Sequence, residues 1–397
     1  MNFFVLSLLK AAIVISVLMV SLLYLQWVER KVIAHIQLRM GPYRVGPHGL
    51  LQPFADVLKL LTKEGFIPSH VNLFFYLLAP FLAVSLALIS IVVIPFGPEI
   101  ELFGVRTSMQ LTDLNIGILF ILAVSSLSVY AVTFAGWASN NKYSLLGGLR
   151  SAAQMISYEL PLALSLAAPL VAAGTLSLRE IVLAQQGASL GVLPNWMIFQ
   201  LPAPQLVGFL VFLIAAFAET NRIPFDLPEA ENELVAGFHT EYSSLKFASF
   251  FMAEYANMIT MTAITTTVFL GGWLPPFPER YGSNWVPAAV FALLGAVAVY
   301  YARQAPRPKD RFTLPWVGLA LFLVAGIFLI PALHPLLVPP FWFLAKAGSL
   351  MFLFIWVRGT LPRFRYDQLM QFAWKFMFPV ALANLFATAL LVALFPR

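Results

Sequence analysis

Long apolar segments recur along the whole chain and constrain its fold more than any other feature. A helix needs about 20 apolar residues to cross the hydrocarbon core of a bilayer. Because backbone polar groups in lipid must be satisfied within the protein, segments of this length predict helices rather than barrel strands. The ten segments are 3–27, 73–96, 114–135, 151–174, 204–218, 246–271, 286–302, 314–333, 340–357 and 375–395.

The overall composition agrees with these segments. The chain is 60% hydrophobic and only 11% charged, whereas soluble domains average about 25% charged residues. We therefore predict an all-α integral membrane protein, a single polytopic domain over 1–397 built as a bundle of about ten transmembrane helices. The first segment is longer than the apolar region of a cleaved signal, and no small-residue cleavage site precedes Glu29–Lys31, so we expect it to be kept as a span.

Several kinds of chemistry are excluded by missing residues. The chain has no cysteine, which rules out disulfides, thiol catalysis and cysteine-ligated iron–sulfur clusters within it. Its five histidines lie in loops or near segment ends, which disfavours a haem-binding cytochrome, and no phosphate-binding glycine motif is present. We expect no nucleic-acid partner, because the net charge of +6 is typical of basic residues held at one membrane face.

Lysine and arginine are distributed unevenly between alternate loops. If both termini lie outside, 18 of the 24 basic residues fall on the inner side, four on the outer side and two within spans. Inner loops of membrane proteins carry such an excess. This count predicts a multi-pass protein, most simply of a bacterial inner membrane, with both termini on the periplasmic side.

The first inner loop, 28–72, contains an amphipathic segment over 49–64. Apolar and polar side chains fall on opposite faces of a helix there, which predicts a helix at the membrane surface or packed on the bundle. A simple surface anchor has the same pattern. The apolar face holds Leu50, Phe54, Val57, Leu58 and Leu61, and the polar face holds Gln52, Asp56, Lys59 and Lys63.

Ionisable residues within the spans are candidates for function. Glu159, Glu254 and Lys346 lie inside apolar segments, where a charge costs at least ~2.5 kcal/mol by insertion scales. The plainer interpretation is a neutral carboxyl that hydrogen-bonds two helices together. Lys346, like Lys10 near the start of the first span, could instead extend its amine toward the membrane surface.

The inner loop 218–245 concentrates the acids of the chain, with six of the 18 carboxylates in 26 residues. Apolar residues alternate with them, so we expect partial packing, which raises carboxyl pKa values by desolvation and repulsion and suits proton transfer. A solvated acidic loop is the alternative. Asp226 and Glu229 have the spacing of a helix cap and its reciprocal acid, so a short helix is expected from about Leu227.

Five motifs together resemble one family over about residues 20–375. They are VERKVIAHIQLRMGPYRVGPHGLLQPFADVLKLLTKE (28–64), GGLRSAAQMISYELP (147–161), AETNRIPFDLPEAENELVAGFHTEYSS (218–244), FFMAEYANM (250–258) and RGTLPRFRYDQLM (358–370). This set resembles the H-type membrane subunits of the proton-pumping NADH–quinone oxidoreductase, respiratory complex I. Without it, the arginines of the last motif could be either a positive stop signal or a docking surface.

The resemblance implies a subunit that lines a quinone passage and begins a chain of buried acids. It implies ubiquinone or menaquinone as substrate, no metal or flavin in this chain, and flavin mononucleotide and iron–sulfur clusters on partners. Soluble subunits are expected on the inner face and antiporter-like subunits alongside in the lipid membrane. By position, the quinone residues are Glu29, Arg30, Arg39, Asp56, Phe251 and Arg358. The relay residues are Glu159, Glu219, Asp226, Glu229, Glu231, Glu233 and Glu254.

Residues 275–335 depart from the family pattern. They contain the apolar segments 286–302 and 314–333, joined by RQAPRPKDRF, where the family often has a short link. We predict an inserted helical hairpin, which leaves the orientation of later spans unchanged. Its role is open.

Two other functional classes fit the residues. A membrane subunit of a related hydrogenase or ferredoxin-linked pump could use the same acids without a quinone. An independent ion transporter is disfavoured by the docking-type inner loops and by the lack of an internal repeat.

Overall fold

The structure, a computed structural model, describes residues 3–102, 105–189, 193–226, 235–278, 281–305 and 307–395. The described chain is mainly helical, which confirms the predicted all-α class. The helices are α1 (Phe3–Ile36), α2 (Gln52–Thr62), α3 (Leu73–Ile89), α4 (Gly117–Ala138), α5 (Lys142–Ala173), α6 (Leu178–Ala184), α7 (Leu206–Glu219), α8 (Ser244–Phe269), α9 (Val286–Gln304), α10 (Pro308–Phe328), α11 (His334–Thr360), α12 (Tyr366–Phe372) and α13 (Phe378–Leu394).

Short 3-10 turns and one π-helical turn join several of these helices. The 3-10 segments are Pro47–Gly49, Ser90–Val93, Gly237–His239 and Pro331–Leu333, and the π segment is Ala373–Met377, which joins α12 to α13.

Eight helical stretches among the described residues are long and apolar enough to cross a membrane. Two further predicted spans are helical but differ from these eight. The segment 204–218 forms the 14-residue α7, and 246–271 forms α8, whose second half is rich in threonine. Both helices have many buried residues, so protein rather than lipid surrounds much of their surface. Burial of this kind relaxes the demand for apolar side chains.

Several helices extend beyond the apolar segments that predict them. The helix α1 continues through Glu29 and Arg30 to Ile36, and α5 begins at Lys142, nine residues before its apolar segment. Asn141 caps α5 by accepting a hydrogen bond from the Tyr143 backbone N–H at 3.0 Å. Polar helix ends persist because they pack on neighbouring loops.

Two short antiparallel strand pairs were not expected from the sequence. The strand β1 (Glu99–Leu102) pairs with β2 (Val105–Ser108), with Glu99 opposite Ser108. The strand β3 (Ala188–Ser189) pairs with β4 (Leu193–Pro194). Both pairs lie in connections between helices, where a few residues satisfy each other's backbone groups.

The main core lies where α3, α4, α5, α7 and α8 pack together. Its fully buried side chains include Tyr158, Phe212 and Phe269. A smaller apolar cluster around Phe328 and Trp342 joins the α9–α10 pair to α11. The polar groups of the candidate site are therefore set inside a closely packed apolar bundle.

The predicted inner loops meet at one end of the bundle. Side chains from each of these loops bond to another inner loop: Tyr43 with Asp310 (2.8 Å), Ser244 with the Leu60 carbonyl (2.8 Å), Asn141 with Glu241 (2.7 Å) and Arg363 with Asp226 (2.8 Å). At the other end, Lys10 donates to the Ser108 carbonyl at 2.8 Å, and Arg179 lies 2.8 Å from Glu99. The bundle thus separates the two sets of loops that the charge count distinguishes.

Candidate functional site

Arg222 connects acids from two different helices inside the bundle. Its guanidinium lies 3.4 Å from the Glu29 carboxylate on α1 and 3.9 Å from the Glu254 carboxylate on α8. The guanidinium carbon also lies 4.2 Å from the ring centroid of Tyr255. Arg358 of α11 forms a second ion pair with Glu29. Because Glu29 and Arg222 are buried, water screens these charges poorly and each responds strongly to the others.

The turn after α7 places Arg222 in this position. Asn221 adopts a left-handed backbone (φ 50°), and the Arg222 N–H donates to the Phe217 carbonyl at 3.3 Å. The buried Gln154 amide of α5 donates to the carbonyls of Ala218 (2.9 Å) and Phe225 (2.7 Å). A side chain of the neighbouring helix therefore holds both ends of the turn, so the cation returns to the bundle interior.

Two adjacent serines on α4 bind two of the predicted relay acids. Ser125 Oγ donates to Glu219 Oε1 at 3.1 Å, and Ser126 Oγ donates to Glu159 Oε1. The second oxygen of Glu219 is buried without a hydrogen-bond partner among the described residues. Consecutive residues of a helix point about 100° apart, so one turn of α4 reaches an acid on each side of it. The pair of hydroxyls thereby bridges α7 and α5.

A small internal cavity separates Glu219 from Glu254. Its volume is about 40 Å³, enough for roughly three or four waters at about 10–15 Å³ each. Both carboxyls line it, together with Thr220, Asn221 and Asn257. Small-molecule sites occupy roughly 300–1,000 Å³, so this space suits water rather than a quinone head group. Water here would span the gap between the two acids.

A second ion pair lies at the same end of the bundle. Arg30 of α1 lies 2.5 Å from Asp56 of α2, and Gln52 donates to the same carboxylate at 3.0 Å. The polar face of α2 therefore packs toward α1. Its apolar face is largely exposed, with Phe54 44% and Leu58 61% exposed, although the Phe54 ring also meets Tyr24 of α1 edge-on at 6.3 Å between centroids. The predicted amphipathic helix is present, with its apolar face turned outward.

Other predicted residues lie outside the Arg222 network. Asp226 pairs with Arg363 at 2.8 Å and is buried. Arg39 is exposed and donates to Gln37 at 2.7 Å. The half-buried Phe251 contacts the aromatic ring of His239, with ring centroids 5.9 Å apart. The structure brings together Glu29, Arg358 and Glu254, pairs Glu159 and Glu219 through serines, and leaves Arg39 apart.

Three predicted relay acids, Glu229, Glu231 and Glu233, lie outside the described residues, as does the short helix expected from Leu227. The last acid of the stretch, Glu241, accepts a hydrogen bond from Asn141. Beside it, Tyr242 stacks on Tyr76 with ring centroids 4.2 Å apart. Burial raises the pKa of the Tyr242 phenol, so this hydroxyl stays neutral.

Sequence reasoning missed the residues that join the acids. It counted Arg222 only as an inner-loop cation, and it overlooked Ser125, Ser126 and Gln154. Arg222 had a usable signal, because it is the only lysine or arginine among six carboxylates in residues 218–243. The serines had none, since helical serines are common and only the fold shows which of them face an acid.

Metal ligands do not cluster in the described part of the chain. No group of three or more His, Asp or Glu residues there could hold a metal ion. The described site presents carboxylates, guanidinium groups and hydroxyls.

The family model and the relatives that match this chain all indicate the same family. The family model described as NADH dehydrogenase matches residues 9–389. A relative from Solibacter usitatus, named as H subunit 1 of an NADH-quinone oxidoreductase, is 63% identical over 99% of this chain and 98% of its own length. The corresponding H subunit 2 from Koribacter versatilis is 48% identical, again over 99% of this chain and 98% of its own. The H subunit from Protochlamydia amoebophila is 45% identical over 92% of this chain and 91% of its own.

Proposed function

Since the chain belongs to the family of H-type membrane subunits of NADH-quinone oxidoreductases, we propose that it helps bind a membrane quinone and couples quinone reduction to proton movement. As a multi-pass membrane subunit of this enzyme complex, it carries the acids of the coupling path. Electrons come from partner subunits, in keeping with a chain that has no cysteine for iron–sulfur clusters.

The proposed orientation is supported by the distribution of charge and by the contacts between loops. The end that gathers the basic inner loops faces the cytoplasm, and both termini lie on the periplasmic side of a bacterial inner membrane. Support comes from the 18-to-4 division of basic residues and from the contacts that join those loops at one end. Soluble partner subunits then dock on the cytoplasmic end, and antiporter-like subunits pack alongside the bundle.

The quinone passage lies near the cytoplasmic end of α1, α2 and α11. Two ion pairs mark it, Glu29 with Arg358 and Arg30 with Asp56. The outward apolar face of α2 lies next to the second pair and suits a lipophilic molecule that arrives from the membrane. A soluble partner that covers this end would complete a chamber whose polar lining comes from this chain. Ubiquinone and menaquinone both fit this chemistry.

One observation carries the coupling proposal: polar groups run without a long apolar break from Glu29 to Glu159. The order is Glu29, Arg222 and Glu254, then the cavity, and then Glu219, the serine pair and Glu159. Negative charge that develops on quinone near Glu29 weakens the hold of Arg222 and Arg358 on that carboxylate. Arg222 then interacts differently with Glu254, because both ion pairs share one guanidinium. A change of charge on the quinone near Glu29 is thus transmitted through Arg222 to the cavity beside Glu254.

Protons can move along the second half of this path. Water in the cavity would link the Glu254 carboxyl to the Glu219 carboxyl, and a serine hydroxyl can both accept and donate a proton. Glu159 lies on the far side of the serine pair. From there the change would pass to a neighbouring membrane subunit.

Two comparisons test the proposed function, one between electron donors and one between point variants of this chain. In the purified complex, NADH should support quinone reduction. Glu254→Gln should lower the rate of this reduction by about tenfold, because the cavity loses a carboxyl group that can exchange protons. Exposed Glu101 at the opposite end provides the control variant, Glu101→Gln, which should match the parent. Quinone reduction with reduced ferredoxin or hydrogen but not with NADH would favour the related hydrogenase or ferredoxin-linked pump instead.

A further inference from the structure

The connection between α9 and α10 is fixed against the loop that follows α1. The Tyr43 hydroxyl donates to Asp310 Oδ1 at 2.8 Å, and His48 Nδ1 lies 3.6 Å from the same oxygen. The other ring nitrogen of His48 lies 2.6 Å from the Thr313 hydroxyl. These contacts give the junction a defined geometry rather than that of a free surface turn. We call residues 303–305 and 307–313, together with Lys31 and Tyr43, the hairpin junction.

Positive charge dominates this junction. Four exposed cations follow one another in nine residues, and Asp310 is the one carboxylate among them. That carboxylate bonds Tyr43, faces His48 and also attracts Lys31, so a single anion stands against five lysine and arginine side chains of the junction. The four cations are Arg303, Arg307, Lys309 and Arg311.

Two of the cations at the junction approach the same aromatic ring. The guanidinium carbon of Arg307 lies 5.0 Å from the Tyr43 ring centroid, and the Lys31 amine lies 5.7 Å from it. A further contact to Met40 sulfur at 3.0 Å holds Arg307 in place. The two cations repel each other, Asp310 offsets that repulsion at Lys31, and a further anion beside the exposed Arg307 would be attracted by the remaining positive charge.

Exposed aromatic residues surround the cations. Tyr300 and Tyr301 at the end of α9 are 58% and 59% exposed, and Phe312 and Trp316 at the start of α10 are 71% and 62% exposed. Aromatic side chains of this kind gather at the head-group level of a bilayer. Deeper along the hairpin, exposed Leu293 and similar residues present a surface for acyl chains.

We propose that the hairpin junction binds the phosphate head group of an anionic phospholipid. The cations meet the phosphate, the aromatic residues lie beside the glycerol region, and the apolar faces of α9 and α10 follow the acyl chains. Charge complementarity together with the adjoining apolar surface selects a membrane lipid over a free anion. Basic pockets at the cytoplasmic ends of helices bind such head groups.

The site is tested by photo-crosslinking in the assembled complex. Vesicles would contain a photoactivatable phosphatidylglycerol or a matched phosphatidylcholine, and chymotryptic peptides that cover 300–316 would be analysed by mass spectrometry. We expect at least about fivefold more crosslinking with phosphatidylglycerol. The double variant Arg307→Gln/Lys309→Gln should abolish that preference, and the charge-retaining Arg307→Lys/Lys309→Arg should restore it.

Two controls decide the interpretation. Lys59→Gln/Lys63→Gln removes the same charge from two exposed positions on the same side, one in α2 and one directly after it, and should leave the preference unchanged. Millimolar inorganic phosphate should not reduce the crosslinking, whereas competition by it would assign the site to a free anion. Equal crosslinking of the two lipids, or an unchanged preference in the Gln variants, would overturn the proposal and leave the cations only an orienting role.

Discussion

Arg222 is the only lysine or arginine in a 26-residue stretch that holds six carboxylates, and it lies between Glu29 and Glu254. A buried ion pair adds little net stability, because the desolvation of both charges offsets their attraction. Removal of one partner is costly, since the other charge stays buried alone. At the scale of single residues, the site therefore depends on complete pairing more than on any one strong bond.

Replacement of this guanidinium should weaken the whole subunit. We expect Arg222→Gln to destabilise the protein by about 3–5 kcal/mol, because Glu254 and part of Glu29 lose their cation. Arg365→Gln is the matched control, since Arg365 pairs with Asp367 at the surface and such pairs contribute about 0–1 kcal/mol. Thermal denaturation of the purified complex would compare them. Similar midpoints for both variants would contradict the central role of Arg222.

At the scale of helices, glycines set how closely α9 and α10 approach. A Cβ atom on Gly318 would lie 2.7 Å from a Val299 methyl and 3.0 Å from the Gly295 carbonyl, closer than side chains tolerate. Small residues at such positions let membrane helices pack backbone to backbone. The hairpin is therefore a rigid pair, which explains how its turn can hold a fixed position against Tyr43.

A larger residue at this contact should separate the two helices. Gly318→Val is expected to cost about 1–3 kcal/mol through overpacking, measured as an earlier thermal loss of the complex. Gly326 lies on the same helix and is exposed, with nothing within 4 Å of its Cβ position, so Gly326→Val serves as the control. If both variants melt like the parent, the close packing of this pair contributes no stability.

Much at the element scale followed from sequence, because each long helix of the bundle contains a continuous apolar segment. The short helices α6 and α12 have no such segment and were not predicted. The amphipathic α2 and the α9–α10 pair also have local patterns that predict them. The ends of α1 and α5 were not predicted, because the apolar segments stop before the helices do and polar residues such as Glu29 continue the helix beyond them. The strand pairs were missed for a similar reason: they involve a few residues each, with no repeated pattern.

The sequence predicted the acids of the candidate site, but it did not predict the residues that link those acids. Glu159, Glu219 and Glu254 stood out because a carboxyl is expensive among apolar residues. Their links through Ser125, Ser126 and Arg222 join residues tens to hundreds of positions apart in the chain. Such contacts depend on how α1, α4, α5, α7 and α8 pack, and no local periodicity encodes that packing.

At the scale of the whole molecule, the described residues form a charged end and a mostly apolar bundle. A path of polar groups leads from the charged end into the bundle. The end proposed to face the cytoplasm gathers the cations, the candidate quinone residues and the hairpin junction. From there the path passes Arg222 and the cavity to reach Glu159 within α5. In the proposed mechanism, a reaction at one end of the protein changes the protonation of groups inside the membrane along this path.

Glu219 provides the most direct test, because it lies between the cavity and the serine pair. The complex with Glu219→Gln would be reconstituted in vesicles, and quinone reduction and proton uptake would be measured together. We predict normal assembly with both rates reduced at least about tenfold, while Glu101→Gln retains parental rates. An assembled Glu219→Gln complex that pumps protons fully at full quinone turnover would contradict the proposed path.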